Sequence, residues 1–229
     1  MNGKIINNLR KEPVILVAPL DWGLGHATRC IPIIYTLIRN GARVLLAGEA
    51  ATEQLYRKEF PTLTFLPLKG YRVQYARKKQ HFNLKLLSQL PRLQRLISYE
   101  HRWLKKVVAE HNIDAVISDN RPGLYHPHIP CVYITHQLFI ETGSSWLTAL
   151  AQKIHYSFIN RFTECWVPDV AGSNSLAGKL SHPKKLPLVP VLYVGCLSRF
   201  TQGVQEKSTR LLVLLSGPEP MRSIFEKLI

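Results

Sequence analysis

Residues 14–37 read VILVAPLDWGLGHATRCIPIIYTL. Val14 to Ala18 is an unbroken apolar run, the mark of a strand buried on both faces, and Cys30 to Leu37 has the apolar spacing of a helix packed on a sheet. Between them the loop Pro19-Leu20-Asp21-Trp22-Gly23-Leu24-Gly25-His26-Ala27-Thr28-Arg29 carries two glycines, an acid and an imidazole. Glycines at a strand-to-helix turn let the backbone approach a ligand, and the helix behind them offers free N–H groups and a partial positive charge. The stretch therefore predicts a βα unit with an anion site.

Working outward, apolar runs predict buried parallel strands at 13–18, 43–47, 63–66, 114–118, 131–135, 164–167, 191–194 and 211–215. Helical patterns fall at 27–40, 50–59, 91–111, with Pro91 in a first helical turn, and 145–161. This alternation specifies an α/β fold, a Rossmann-like, doubly wound, mostly parallel sheet. In such sheets ligands lie beyond the carboxyl ends of the strands. Those ends carry Asp21, Gly23, Gly25 and His26 after the first strand, Asp119, Asn120 and Arg121 after the fourth, His136 and Gln137 after the fifth, and Asp169 after the sixth. One crevice that gathers them would suit general base work on a hydroxyl, with Arg121 holding a phosphate.

The loop begins a dinucleotide fingerprint, with Glu49 closing the next strand as a ribose partner, but Thr28 stands where the third glycine belongs. A nicotinamide- or flavin-binding oxidoreductase stays open on that partial match, as does a plain turn with a capping histidine. His126-Pro127-His128 resembles a metal pair without a third ligand in sequence, so no metal is expected.

The 229 residues suffice for one large or two small domains, and 46% hydrophobic with 20% charged residues is ordinary for a globular chain. The N-terminus lacks the apolar region of a signal peptide, so a cytoplasmic chain is expected. Cys30, Cys131, Cys165 and Cys196 form no C-x-x-C pair and are expected to be buried, reduced thiols. Thirty Lys and Arg against fifteen Asp and Glu give a formal +15, which favours an anionic partner. More than half of that excess lies between Tyr71 and Lys106, where ten basic residues face one acid, Glu100. They are interleaved with apolar residues, as in an amphipathic segment on anionic headgroups; Arg77, Lys78, Lys79, Phe82 and Lys85 are its expected membrane-facing residues. A long helix with a solvated basic face is the alternative. A non-catalytic module for anionic lipid or nucleic acid is also open, although no familiar nucleic-acid-binding signature is present. Residues 198–210 read as a linker, after which Leu211 to Leu215 and Ser216-Gly217-Pro218-Glu219 open a second strand-to-helix turn.

With its G-x-G-H-x-x-R loop, its basic apolar segment after the third strand and its second turn Leu214-Leu215-Ser216-Gly217, the chain resembles the GT-B glycosyltransferases, in particular the branch that contains the MurG N-acetylglucosaminyltransferase. Two departures from that branch are a shorter glycine run and Ala27, rather than proline, after the histidine. The resemblance implies an acceptor domain over 1–197, a linker over 198–210 and the opening of a truncated donor domain over 211–229. It implies transfer of a hexose or N-acetylhexosamine from a nucleotide-sugar co-substrate, expected to be UDP-linked, to a lipid-linked or cell-envelope acceptor at the inner face of the cytoplasmic membrane. The mechanism would be inverting and metal-independent, without a further cofactor. His26 is the expected base, with Asp119 as rival and Asp21 third. Gly23, Gly25, Ser216, Gly217 and Glu219 would face the donor phosphates, and Asn120, Arg121, His136 and Gln137 the acceptor. With most of the donor domain absent, the chain is expected to transfer little or no sugar alone.

Overall fold

The computed structural model describes residues 11–71, 82–200, 213, 215 and 221–228, with backbone alone at 82–90 and 221. Seven strands form one parallel sheet: β1 (Val14–Pro19), β2 (Arg43–Gly48), β3 (Thr64–Pro67), β4 (Ala115–Asp119), β5 (Cys131–Ile134), β6 (Glu164–Val167) and β7 (Val191–Tyr193). Their spatial order is β3-β2-β1-β4-β5-β6-β7, so the chain reverses direction across the sheet between β1 and β4. In doubly wound sheets such a switch point, at the carboxyl ends of the strands, is where ligands bind. The register sets Pro19 beside Asp119, and Leu20 N–H donates to Asp119 O at 2.8 Å. The ends of the two strands are thereby level.

Both faces of the sheet are covered, which is why β1 lacks polar alternation. Leu16 and Ala18 point into one core with Leu104, Val107 and Phe162; Ile15 and Val17 point into the other with Ile31, Ile34 and Leu37. Helices α1 (Gly25–Arg39), α2 (Ala50–Glu59), α3 (Phe82–His111), α4 (Ser145–Ile159) and the short α5 (Met221–Glu226), with one 3-10 turn at Gly178–Leu180, complete the described elements. The inward stripe of α1 consists of Ala27, Cys30, Ile31, Ile33, Ile34 and Leu37, the pattern legible in the sequence.

Two expectations change. Helix α3 starts at Phe82, so Pro91 lies inside it rather than at its first turn. A proline there forfeits one hydrogen bond, a local cost that a long helix anchored by buried Leu104 and Val107 tolerates. Cys30, Cys131 and Cys165 are buried, but Cys196 is exposed, because it follows the edge strand β7. Of the second turn, Ser216, Gly217 and Glu219 lie outside the described residues, as do Arg77, Lys78, Lys79 and the side chains of Phe82 and Lys85.

Candidate functional site

The β1–α1 loop is exposed at Gly23 and Gly25, and Gly23 turns with φ +72°, a conformation that favours glycine. One turn into α1, His26 and Arg29 meet Asp119 at the end of β4. The Asp119 carboxylate is fully buried, whereas the His26 and Arg29 side chains are each 14% exposed. Arg29 grips it with both a 2.6 Å Nε bond to Oδ2 and an Nη2 contact to Oδ1, while His26 Nδ1 lies 3.0 Å from Oδ1. Burial alone would raise this carboxyl, yet the Arg29 and His26 hydrogen bonds outweigh it and hold Asp119 below the usual carboxylate range. Asp119 is thus ionised and accepts only.

Arg29 also reaches the end of β5. Its Nη1 lies 3.0 Å from His136 Nδ1, and since a guanidinium only donates, that nitrogen is the unprotonated one. Burial, then the Arg29 and His26 charges, push His136 below its ordinary value, in keeping with a neutral acceptor ring. Nη2 also lies 2.9 Å from His26 Nδ1 and competes with Asp119 for that nitrogen. Where Nδ1 carries its hydrogen toward the ionised Asp119, Nε2 keeps its lone pair for a substrate proton.

Asn120 follows with φ +58°, a left-handed turn that asparagine tolerates, and its Oδ1 accepts from Tyr133 OH at 2.8 Å. This turn separates two neighbours in sequence by sending the next side chain, Arg121, into the interior. Arg121 is fully buried, 2.7 Å from Glu100 Oε1 through Nε, and also donates to Pro19 O and Lys69 O. The expectation that Arg121 holds a phosphate is therefore corrected: its donors are spent inside. Glu100 additionally accepts from Tyr71 OH at 2.6 Å and Gly123 N at 3.0 Å.

Asp21 also has a structural partner. Its Oδ1 accepts from Tyr71 N at 3.1 Å, and a Cβ at Gly70 would stand 1.6 Å from its Oδ2, so only glycine fits there. Glu49 Oε2 accepts from Gly70 N at 2.7 Å, a bond internal to the fold. Gln137 has an exposed side chain, and its carbonyl accepts from His155 Nε2 at 2.9 Å. Asp169 does not join the crevice: it knits its own loop, accepting from Val170, Leu176 and Ala177 N–H and from the Ser175 and Ser181 hydroxyls. Those two hydroxyls above all hold it well below the usual carboxylate range.

The structure thus brings His26, Asp119 and His136 together through Arg29. Arg29 closes the loop motif, but nothing in sequence spacing shows that one guanidinium spans the ends of β4 and β5. Among the described residues no cluster of three His, Cys, Asp or Glu side chains could hold a metal ion, and His126 Nδ1 accepts from its neighbour His128 N at 3.3 Å.

No protein-family model matches the sequence, and no curated protein matches it either. Solved structures do match. Arabidopsis thaliana UGT89C1, complexed with UDP-L-rhamnose, is similar with a TM-score of 0.55 at 12% identity, over 87% of this chain and 56% of that one. Phytolacca americana UGT2, complexed with UDP-2fluoro-glucose and pterostilbene, gives 0.52 at 14% identity, over 81% and 54%. Acinetobacter baumannii MurG matches at 0.37 and 10% identity, too weak to bear on the branch. The chain shares the Rossmann-like parallel α/β fold of UGT89C1 and UGT2 and spans about half the length of each.

Proposed function

We propose that this chain is the acceptor-side half of an inverting glycosyltransferase that uses a UDP-sugar, with His26 as base and Asp119 as its partner rather than its rival. The observation that carries this reading is the 3.0 Å contact between His26 Nδ1 and a buried, ionised Asp119, at the mouth of the β1/β4 switch point. The acceptor hydroxyl gives its proton to His26 Nε2 as its oxygen attacks the anomeric carbon. The bond from that carbon to the diphosphate breaks on the opposite face, and the electron pair leaves on UDP. Asp119 stabilises the imidazolium so formed. N–H groups at the start of α1 and around Gly23 and Gly25 face the departing charge, work that a helix terminus performs without a metal. Ser216, Gly217 and Glu219 would continue the donor site, Asn120, His136 and Gln137 the acceptor groove, and the Arg77 to Lys85 segment would dock an envelope or lipid-linked acceptor at an anionic membrane. Among the described residues no helix is long and apolar enough to cross a membrane.

The test is acceptor-dependent UDP release from a panel of UDP-sugars, with the chain alone and with residues 1–210 fused to the donor domain of UGT89C1. Little turnover by the chain alone and transfer by the fusion that falls at least about 100-fold in His26→Ala would support the reading. Tight NAD binding, or transfer that is indifferent to His26, would overturn it.

A further inference from the structure

His136 is the second imidazole at the switch point, and Arg29 decides what that ring can do. Its place is set by the sheet. Asp119 and Ile134 are register partners, Asn120 N donates to Ile134 O at 3.0 Å, and Thr135 N donates to Trp166 O at 3.0 Å. Beyond the ring, Leu138 is fully buried and its carbonyl accepts from Gln152 Nε2 at 2.6 Å. The half-exposed ring thus stands on backbone that is tied down before and after it.

Every nitrogen of Arg29 is engaged at this corner. Nε and Nη2 hold Asp119, Nη2 also lies 2.9 Å from His26 Nδ1, and Nη1 lies 3.0 Å from His136 Nδ1. A guanidinium has no acceptor, so the hydrogen of the neutral His136 ring is on Nε2. The two rings thereby differ: with Nδ1 donating to Asp119, His26 offers a lone pair at Nε2, whereas His136 offers an N–H. Among the described residues neither Nε2 has a partner, and His182 Nε2 is the single buried side-chain nitrogen or oxygen without one, so both are open to solvent. Since the two Nδ1 atoms meet the two terminal nitrogens of one guanidinium, they lie within about 8 Å of each other, a span that one small molecule covers.

We infer that Arg29 is a positioning residue for His136, and that His136 Nε2–H donates to an oxygen of the acceptor other than the hydroxyl that His26 deprotonates. This rests on the glycosyltransferase reading of the site and narrows its acceptor class to molecules that carry a second oxygen, as hydroxyl, ether or carbonyl, near the reacting hydroxyl.

The test is titration of the chain with ortho- and meta-methoxyphenol, followed by the ring signals of His26 and His136 in long-range proton–nitrogen correlation spectra. The ethylphenols of the same shape, which lack the second oxygen, are the controls. No sugar donor is needed, so failure here is distinct from failure of the transfer reading, which turns on His26. The spectra should place the His136 hydrogen on Nε2, and at least one methoxyphenol should bind about three- to tenfold more tightly than its ethyl counterpart, the worth of one hydrogen bond. His136→Leu should erase that preference, and His136→Gln, which supplies an amide N–H, should restore part of it. The charges that face the ring are Arg29 and His26, which disfavour its protonation, and Asp119 and Asp169, which favour it. Arg29→Lys keeps the charge but loses the reach to Nδ1, so His136 should take up a proton at higher pH and the preference should fall. A hydrogen on Nδ1, methoxyphenols that bind no better than ethylphenols or not at all, or a preference that survives His136→Leu or Arg29→Lys, would overturn the proposal.

Discussion

Two buried carboxylates, Asp119 and Glu100, each meet an arginine at the same end of the sheet, and their surroundings give them opposite work. Glu100 and Arg121 are 1% and 0% exposed, and every partner of that carboxylate is an internal group of the fold: Arg121, Tyr71 OH and Gly123 N. Asp119 is just as buried, but its partners His26 and Arg29 reach solvent. Burial pushes the Glu100 carboxyl up despite Arg121, Tyr71 and Gly123, whereas Arg29 and His26 hold Asp119 down. A sealed pair fastens loops; a pair with one open side leaves His26 within reach of a ligand. Residue type does not separate the two, but access does.

The sharpest break of this comparison is Arg121→Met. Leaving Glu100 buried without its cation, and Pro19 and Lys69 without a donor, should cost about 3–5 kcal/mol, read as a fall in the urea midpoint. His26→Ala should invert the pattern, with transfer in the fused enzyme down about 100-fold or more and a smaller stability loss of about 1–2 kcal/mol, since Arg29 still holds Asp119. Equal destabilisation by both substitutions would erase the distinction. Arg29→Lys comes next: a lysine cannot reproduce the two-nitrogen grip on Asp119 while reaching His136, so a loss of about 1–3 kcal/mol is expected by the same measurement.

Stability against pH gives the smallest and most diagnostic effect. Asp119, depressed in the folded state, contributes stability that is present above its unfolded value, about 3.9, and lost as pH falls through the lower folded value. Glu100, raised in the folded state, keeps its proton longer than the unfolded chain does. Stability therefore falls as pH rises from its unfolded value, about 4.3, through the higher folded one. Urea midpoints between about pH 2 and 7 should show Asp119→Asn flattening the acid limb, and Glu100→Gln removing the opposing slope. Identical profiles for the two variants would mean that the two carboxylates are equivalent after all.

Much of this molecule was legible in the sequence. Strand runs such as Val14 to Ala18 and the stripe from Ala27 to Leu37 specified a parallel sheet with helices on both faces, because burial on two sides leaves no choice but continuous apolar strands. The placement of His26 and Asp119 at strand ends followed from the same alternation, since connections in such a sheet bring alternate chain turns to one edge. What the sequence could not show was which polar side chain faces the crevice. Asp119 and Arg121 are two residues apart, and only the left-handed turn at Asn120 gives one to His26 and buries the other on Glu100. Likewise the relay from Asp169 through Ser181 to His182 depends on a loop that folds back on its own strand end. Hydrophobic periodicity is a local property and fixes elements and faces. Hydrogen-bond partnership joins residues as much as 107 positions apart, as Arg29 and His136 are, and only the packed sheet decides it.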